Sequence, residues 1–209
     1  MKKIAFLFSG RGTLIKSVLS AVERSRTIAE LSVIITNNTE FIPSSNTFFN
    51  GRKVEIVNHK DFRSRSLFDE HIANILRSNQ IDLVILGGFR RIFTKEFASE
   101  FGPITMNTHP SLLPALPGDK AQQKALDMGL RISGATLHFI SEEVDAGPII
   151  DQEPVKICNG MNESDLRQAI IEVEQKMIYR AILSFLDGNL FMSGNGVIYK
   201  DYINVQNPE

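Results

Sequence analysis

With 209 residues, 43% of them hydrophobic, the chain is long enough to bury one sizeable core, so residues 1–209 are expected to form a single domain. A formal charge of -1, from 23 basic and 24 acidic residues, excludes the broad positive field that would gather nucleic acid or an anionic membrane. The single cysteine, Cys158, cannot form an internal disulfide, and no His or Cys cluster has metal-ligand spacing, which together point to a reducing, cytoplasmic setting and to no metal.

The amino terminus, Met1-Lys2-Lys3 followed by Ile4 to Phe8, has too short an apolar run for a signal peptide before Ser9-Gly10-Arg11-Gly12 interrupts it, and it reads as a first strand. Helical spacing follows at Leu14, Val18 and Val22, supported by Ile15 and Leu19. Leu31 to Thr36 and Val54 to Val57 read as buried strands, Phe68, Ile72, Ile75 and Leu76 as a helix face, and Leu83 to Leu86 and Ile104 to Met106 as two more strands. Ala135 to Ile140 and Pro148 to Val155 look like strands joined by the acidic turn Ser141 to Gly147. Asn162, with Asp165 three residues on, opens a long helix marked by Leu166, Ile170, Val173, Met177, Ala181 and Phe185 and closed by Gly188. The tail from Phe191 to Glu209 is expected to add one weak hairpin. The order implies an α/β, Rossmann-like fold: a mostly parallel twisted sheet with helices on both faces and a mixed C-terminal part. No stretch approaches the roughly 20 apolar residues of a membrane span.

Ser9-Gly10-Arg11-Gly12-Thr13 lies between a strand and a helix, where free N–H groups and the helix dipole favour an anion such as phosphate. The same loop also fits a tight turn with no ligand. A dinucleotide fingerprint would need a glycine where Ile15 stands and an acidic residue where Asn37 and Asn38 stand. The lysine and hydroxyl of a Walker loop are missing as well, so neither a dehydrogenase nor an ATPase is supported.

The segment Asn107-Thr108-His109-Pro110-Ser111-Leu112-Leu113-Pro114 follows a strand, and open α/β sheets bind ligands at their strands' carboxyl ends. In extended backbone Asn107 and His109 face the same way, and Pro110 biases His109 away from helical dihedrals. Taken alone, His109 also fits a histidine satisfied at the surface or in the core.

That segment, followed by Gly134-Ala135-Thr136-Leu137-His138-Phe139 and Val144-Asp145-Ala146-Gly147-Pro148-Ile149-Ile150, closely resembles the folate-dependent formyltransferases from Lys3 to about Leu190. The resemblance implies transfer of a formyl group from 10-formyltetrahydrofolate, as co-substrate, to the amine of glycinamide ribonucleotide in purine biosynthesis, with Asn107, His109 and Asp145 as the catalytic set. In that set Asn107 supplies an amide donor suited to a developing oxyanion, and His109 a proton carrier near neutral pH whose charged form Asp145 can support. It implies a folate pocket lined by Phe89, Arg91, Ile92 and Phe93 and covered by Ile140, Ser141, Glu142, Glu143 and Val144, with Arg65 near the folate tail. It further implies a small phosphorylated amine held by Gly10, Arg11, Gly12 and Thr13, with Glu174 on ribose hydroxyls.

Two departures fall on the acceptor side: Leu14 stands where the family usually carries Asn, and Asp119 to Gln123 replace a histidine-containing segment. N-formylation of a nucleotide-linked amino sugar is therefore the rival activity, although such relatives usually carry extra C-terminal sequence. A tRNA-directed transferase would need an added RNA-binding region and a more basic surface. A deformylase would carry an N-terminal regulatory domain. A binding module keeping only the fold would have no need of a proton-transfer pair. His138 is expected to support the site or the core, His59 and His71 carry no motif, and a homodimer is left open because nothing in the sequence fixes assembly.

Overall fold

β1 (Lys2–Phe8) is buried from Ile4 onwards and feeds two cores by alternation. Ile4, Phe6 and Phe8 enter one cluster while Ala5 and Leu7 enter the other, as period-2 side chains of a central strand must. The computed structural model describes residues 1–43, 47–49, 51–194 and 196–200. In chain order the elements are β1, α1 (Ile15–Arg24), β2 (Ala29–Thr36), β3 (Glu55–Ile56), α2 (Arg65–Ser78), β4 (Leu83–Leu86), α3 (Lys95–Phe101), β5 (Thr105–His109), α4 (Ala121–Asp127), β6 (Ile132–Phe139), β7 (Ile149–Lys156), α5 (Glu163–Leu186), β8 (Leu190–Ser193) and β9 (Gly196–Tyr199).

The main sheet runs β3-β2-β1-β4-β5-β6-β7. Its first five strands are parallel; β6 is antiparallel to β5, and β7 to β6. The layer of α1 and α5 packs on the Phe6 side and that of α2 and α3 on the Leu7 side, which gives the expected α/β architecture with helices on both faces and a mixed C-terminal part. Asn162 and Asp165 form a reciprocal capping box at the start of α5, and Gly188, at φ 73°, takes the left-handed turn just past its end.

Two differences from the sequence reading bear on the site. β5 extends to His109 instead of ending at Met106, so Asn107 and His109 are strand residues with cross-strand partners. The short helices α3 and α4 have no expected counterpart: each has seven residues, too few for periodicity to declare itself. The expected tail hairpin is present as β8 and β9, and residues 201–209 of that expectation lie outside the described residues. No described helix is long and apolar enough to cross a membrane.

Candidate active site

The strand order reverses between β1 and β4, and ligands in open α/β sheets bind at such a switch point, outside the strands' carboxyl ends. The loops that leave these two strands are tied together there: Ser9 N donates to the Gly88 carbonyl at 3.3 Å and Arg90 N donates to Ser9 Oγ at 2.7 Å. A cavity of about 700 Å³ opens over them. Its lining brings together Gly10 to Thr13, Phe89, Arg91 to Phe93, Asn107, His109, Ile140 to Asp145 and Glu174.

Strand pairing places the reacting side chains. Asn107 and His109 share one face of β5 and stand opposite His138 and Thr136 of β6. His138 is buried, and its Nδ1 lies 2.9 Å from the Phe139 carbonyl, a contact that only Nδ1–H can make. Burial pushes its pKa below the usual value, so the ring is neutral and its Nε2 accepts from Asn107 Nδ2 at 3.1 Å. That bond fixes which end of the Asn107 amide carries the hydrogens. The second N–H has no bond to a protein side chain among the described residues.

Asp145 lies on the turn between β6 and β7, in the left-handed region at φ 54°. A side chain at Gly147 would place Cβ 1.8 Å from the Phe139 carbonyl oxygen, so only glycine lets this turn fold back tightly on β6. The fold-back sets Asp145 Oδ2 at 3.2 Å from His109 Nδ1 and lets it accept from Gly118 N at 2.8 Å. Oδ1 is 3.9 Å from His138 Nε2. The other ring nitrogen of His109, Nε2, donates to the Leu116 carbonyl at 2.9 Å, so each nitrogen faces an acceptor and both N–H bonds of a protonated ring have a partner.

The loop that presents Leu116 hangs on Thr136, whose Oγ1 donates to Ser111 O at 2.7 Å and accepts from Leu113 N and Gln152 Nε2, each at 2.9 Å. Sequence reasoning proposed Asn107, His109 and Asp145, which the structure brings to one cavity, and gave no part to Thr136. The alternation Thr136, His138 on one strand face was the signal, needing only the register against β5 to be used.

Glu174 is 8% exposed and lies in the buried face of α5, between Ile170 and Ile178. Burial raises its pKa to about 7, opposed by a hydrogen bond with Thr108. Glu174 is therefore not an exposed residue of the helix surface. On the glycine loop, Gly12 adopts φ 65°, and a Cβ there would meet the Phe49 ring at 2.5 Å. Leu14 is buried in the cluster of Phe6, Phe8 and Ile15, and as the residue capping α1 it makes no side-chain cap bond. Of the divergent segment Asp119 to Gln123, the last three residues are the first turn of α4.

Arg65 is not among the residues lining the cavity: Ser64 caps α2 by accepting from Leu67 N, which leaves Arg65 exposed as the first helical residue, where its charge acts on Asp69 and Glu96. No metal-binding group of His, Cys, Asp and Glu occurs among the described residues.

A model of the family described as formyl transferase matches residues 2–182. A phosphoribosylglycinamide formyltransferase of Haemophilus influenzae is 30% identical over 199 residues, covering 93% of this chain and 92% of that protein. The trifunctional purine biosynthetic protein adenosine-3 of Homo sapiens is 31% identical over 196 residues, which cover 94% of this chain and 19% of that protein. The chain thus spans about a fifth of that relative's length. Among solved structures, the glycinamide ribonucleotide transformylase 1 of Symbiobacterium toebii superposes with a TM-score of 0.88 at 33% identity, over 96% of this chain and 95% of that one.

Proposed function

Because the chain belongs to the formyl transferase family, we propose that it transfers the formyl group of 10-formyltetrahydrofolate to the amine of glycinamide ribonucleotide, as phosphoribosylglycinamide formyltransferases do, with residues 1–209 acting as one formyltransferase domain. The observation that carries this reading is the convergence of Asn107, His109 and Asp145 on one cavity at the switch point of the sheet. That cavity is the size of those that enclose small metabolites and cofactors.

The fit of a folate rests on the cavity wall. Phe89 and Phe93 stack with ring centroids 5.6 Å apart and offer an aromatic side, while the turn from Ile140 to Val144 offers backbone donors and acceptors. The phosphate of the acceptor amine fits the N–H groups of Gly10 to Thr13 at the start of α1, and Glu174 suits the acceptor's hydroxyls.

The chemistry follows from what each group can hold. As the amine adds to the formyl carbon, charge grows on the formyl oxygen, and the N–H of Asn107 not used by His138 is the preorganised donor for it. The attacking nitrogen loses a proton and the departing folate nitrogen gains one. His109 serves this exchange through Nε2, which turns from the Leu116 carbonyl to the substrate, while Asp145 steadies the ring through Nδ1. Collapse of the tetrahedral adduct leaves formylated amine and tetrahydrofolate.

Turnover of 10-formyltetrahydrofolate by the purified chain, with glycinamide ribonucleotide or a nucleotide-linked amino sugar as acceptor, tests the reading. Formylation of the ribonucleotide is expected. Formylation of the amino sugar alone would overturn it.

A further inference from the structure

The segment from Phe89 to Phe93 lines the cavity, and the next residue, Thr94, ties it to α2, its N donating to Asp69 Oδ2 at 2.6 Å. Asp69 is 2% exposed, and its second oxygen, Oδ1, is buried with no hydrogen-bond partner among the described residues. Three residues before Thr94, Arg91 carries a complementary atom: Nε is buried and likewise without a partner. The two groups already feel one another. Burial raises the Asp69 pKa, and Arg91 is among the neighbours that oppose the rise. A buried carboxylate oxygen and a buried guanidinium N–H left unpaired are each unfavourable, so an adjustment that joins them is favoured.

The segment also has a mechanical link to the pocket. Phe93 stacks between Phe89 and Phe97, at 5.6 and 3.9 Å, and Thr94 caps α3, its Oγ1 accepting from Phe97 N. A carboxylate holding Thr94 therefore sets the position of Phe93, one residue away on the cavity wall.

We propose that Asp69 is a positioning residue of the co-substrate pocket, whose Oδ1 pairs with Arg91 Nε when the folate is bound and so latches the segment from Phe89 to Thr94 against it. The latch rests on the folate reading above. It gives the occupied state an interaction that the empty state lacks, which is what any ligand-driven closure requires. His59 Nδ1 is a third buried atom without a partner among the described residues, and Arg91 is among the charges that lower its pKa, after burial. His59 is thus the competing partner for Arg91.

Calorimetric binding of a 10-formylfolate analogue unable to transfer its group, together with steady-state kinetics on the full chain, tests the latch. Asp69→Asn keeps an oxygen for Thr94 N but loses the charge. It is expected to weaken analogue binding about tenfold, the scale of one charged hydrogen bond, with kcat and the acceptor KM within about threefold of wild type. Arg91→Lys, which keeps the charge and loses Nε, is expected to weaken analogue binding by a similar factor, and the double variant to lose little more than either single one.

Additive losses, or unchanged affinity in Asp69→Asn, would overturn the latch. So would loss in His59→Ala without loss in Asp69→Asn. If Asp69→Asn does not fold, Arg91→Lys decides alone: the analogue must protect amides 89–94 from hydrogen exchange in wild type and fail to in the variant, and equal protection refutes the pair. Wild-type protein that binds no analogue while the acceptor still binds would instead remove the folate reading and the latch with it.

Discussion

The cavity has two walls built on different principles. The wall of β5 and β6 is held by polar pairs between side chains and backbone: His138 orients Asn107, Thr136 suspends the loop that reaches His109, and Gly118 N holds Asp145. The wall of β1 and α1 is held by packing, with Phe6, Phe8, Phe49 and Leu14 beneath a glycine loop that offers backbone N–H groups. Directional bonds place the atoms that must meet a transition state. Close packing suffices where a loop need only present its backbone to an anion. Substitutions on the first wall should therefore change kcat, and those on the second acceptor affinity.

The largest effect is expected at His109 and Asp145. His109→Ala and Asp145→Asn should each lower kcat by about 100-fold to 10,000-fold, the range for positioned acid-base groups, while circular dichroism and the thermal midpoint report a folded protein. Near-normal turnover in either would remove the polar wall from the chemistry. The placing of Asn107 and His109 together was legible because the alternation of an extended strand points them one way, and that of Asp145 only through the motif in which it stands. Their supports were less legible. The Thr136 and His138 contacts depend on the register between β5 and β6, which no local pattern specifies, and the helices α3 and α4 are too short for their spacing to stand out. Leu14 was legible only in part: the sequence shows that the family's asparagine is missing, and the packing shows that the replacement joins the core.

Glu174 faces the cavity from α5 and tests the comparison through stability. Its folded pKa of about 7 lies above the ordinary 4.5, so the folded state keeps a proton that the unfolded chain releases. That contribution is complete below pH 4.5 and is lost as pH rises towards 7. The span from 4.5 to about 7 corresponds to roughly 3 kcal/mol. Urea unfolding should show Glu174→Gln gaining on wild type by about that much between pH 4.5 and 7.5. An equal difference at both pH values would mean that burial does not hold the proton. The sequence reading named Glu174 without its burial, which the spacing of Ile170, Glu174 and Ile178 at i, i+4 and i+8 marks as an apolar face with one carboxyl in it.

Thr136→Val asks how much of the catalytic wall hangs on one hydroxyl. Valine keeps the shape but leaves Leu113 N without its acceptor and Ser111 O without its donor, at a cost of about 1 to 3 kcal/mol. The loop carrying the Leu116 carbonyl then loosens, and kcat is expected to fall about tenfold with the acceptor KM little changed. A loss confined to KM would contradict the division between the walls.

The smallest effect is expected on the other wall, at Arg11. Its side chain is exposed, so its attraction for an acceptor phosphate acts through water and should be worth about 0.2 to 1 kcal/mol. Arg11→Ala should therefore raise the acceptor KM by roughly 1.4-fold to 5-fold near physiological salt and leave kcat unchanged. The N–H groups of Gly10 to Thr13 remain in the variant, because deleting a side chain does not move a backbone held from below by Phe49 and Leu14. Salt separates the two contributions. Near half-molar salt the screening length shrinks to a few ångströms, so the difference between variant and wild type should largely disappear. Backbone hydrogen bonds in the loop are screened less, and most of the affinity should persist in both proteins. If the difference survives high salt, Arg11 makes a desolvated contact, and the glycine wall depends on a directional side chain as the catalytic wall does.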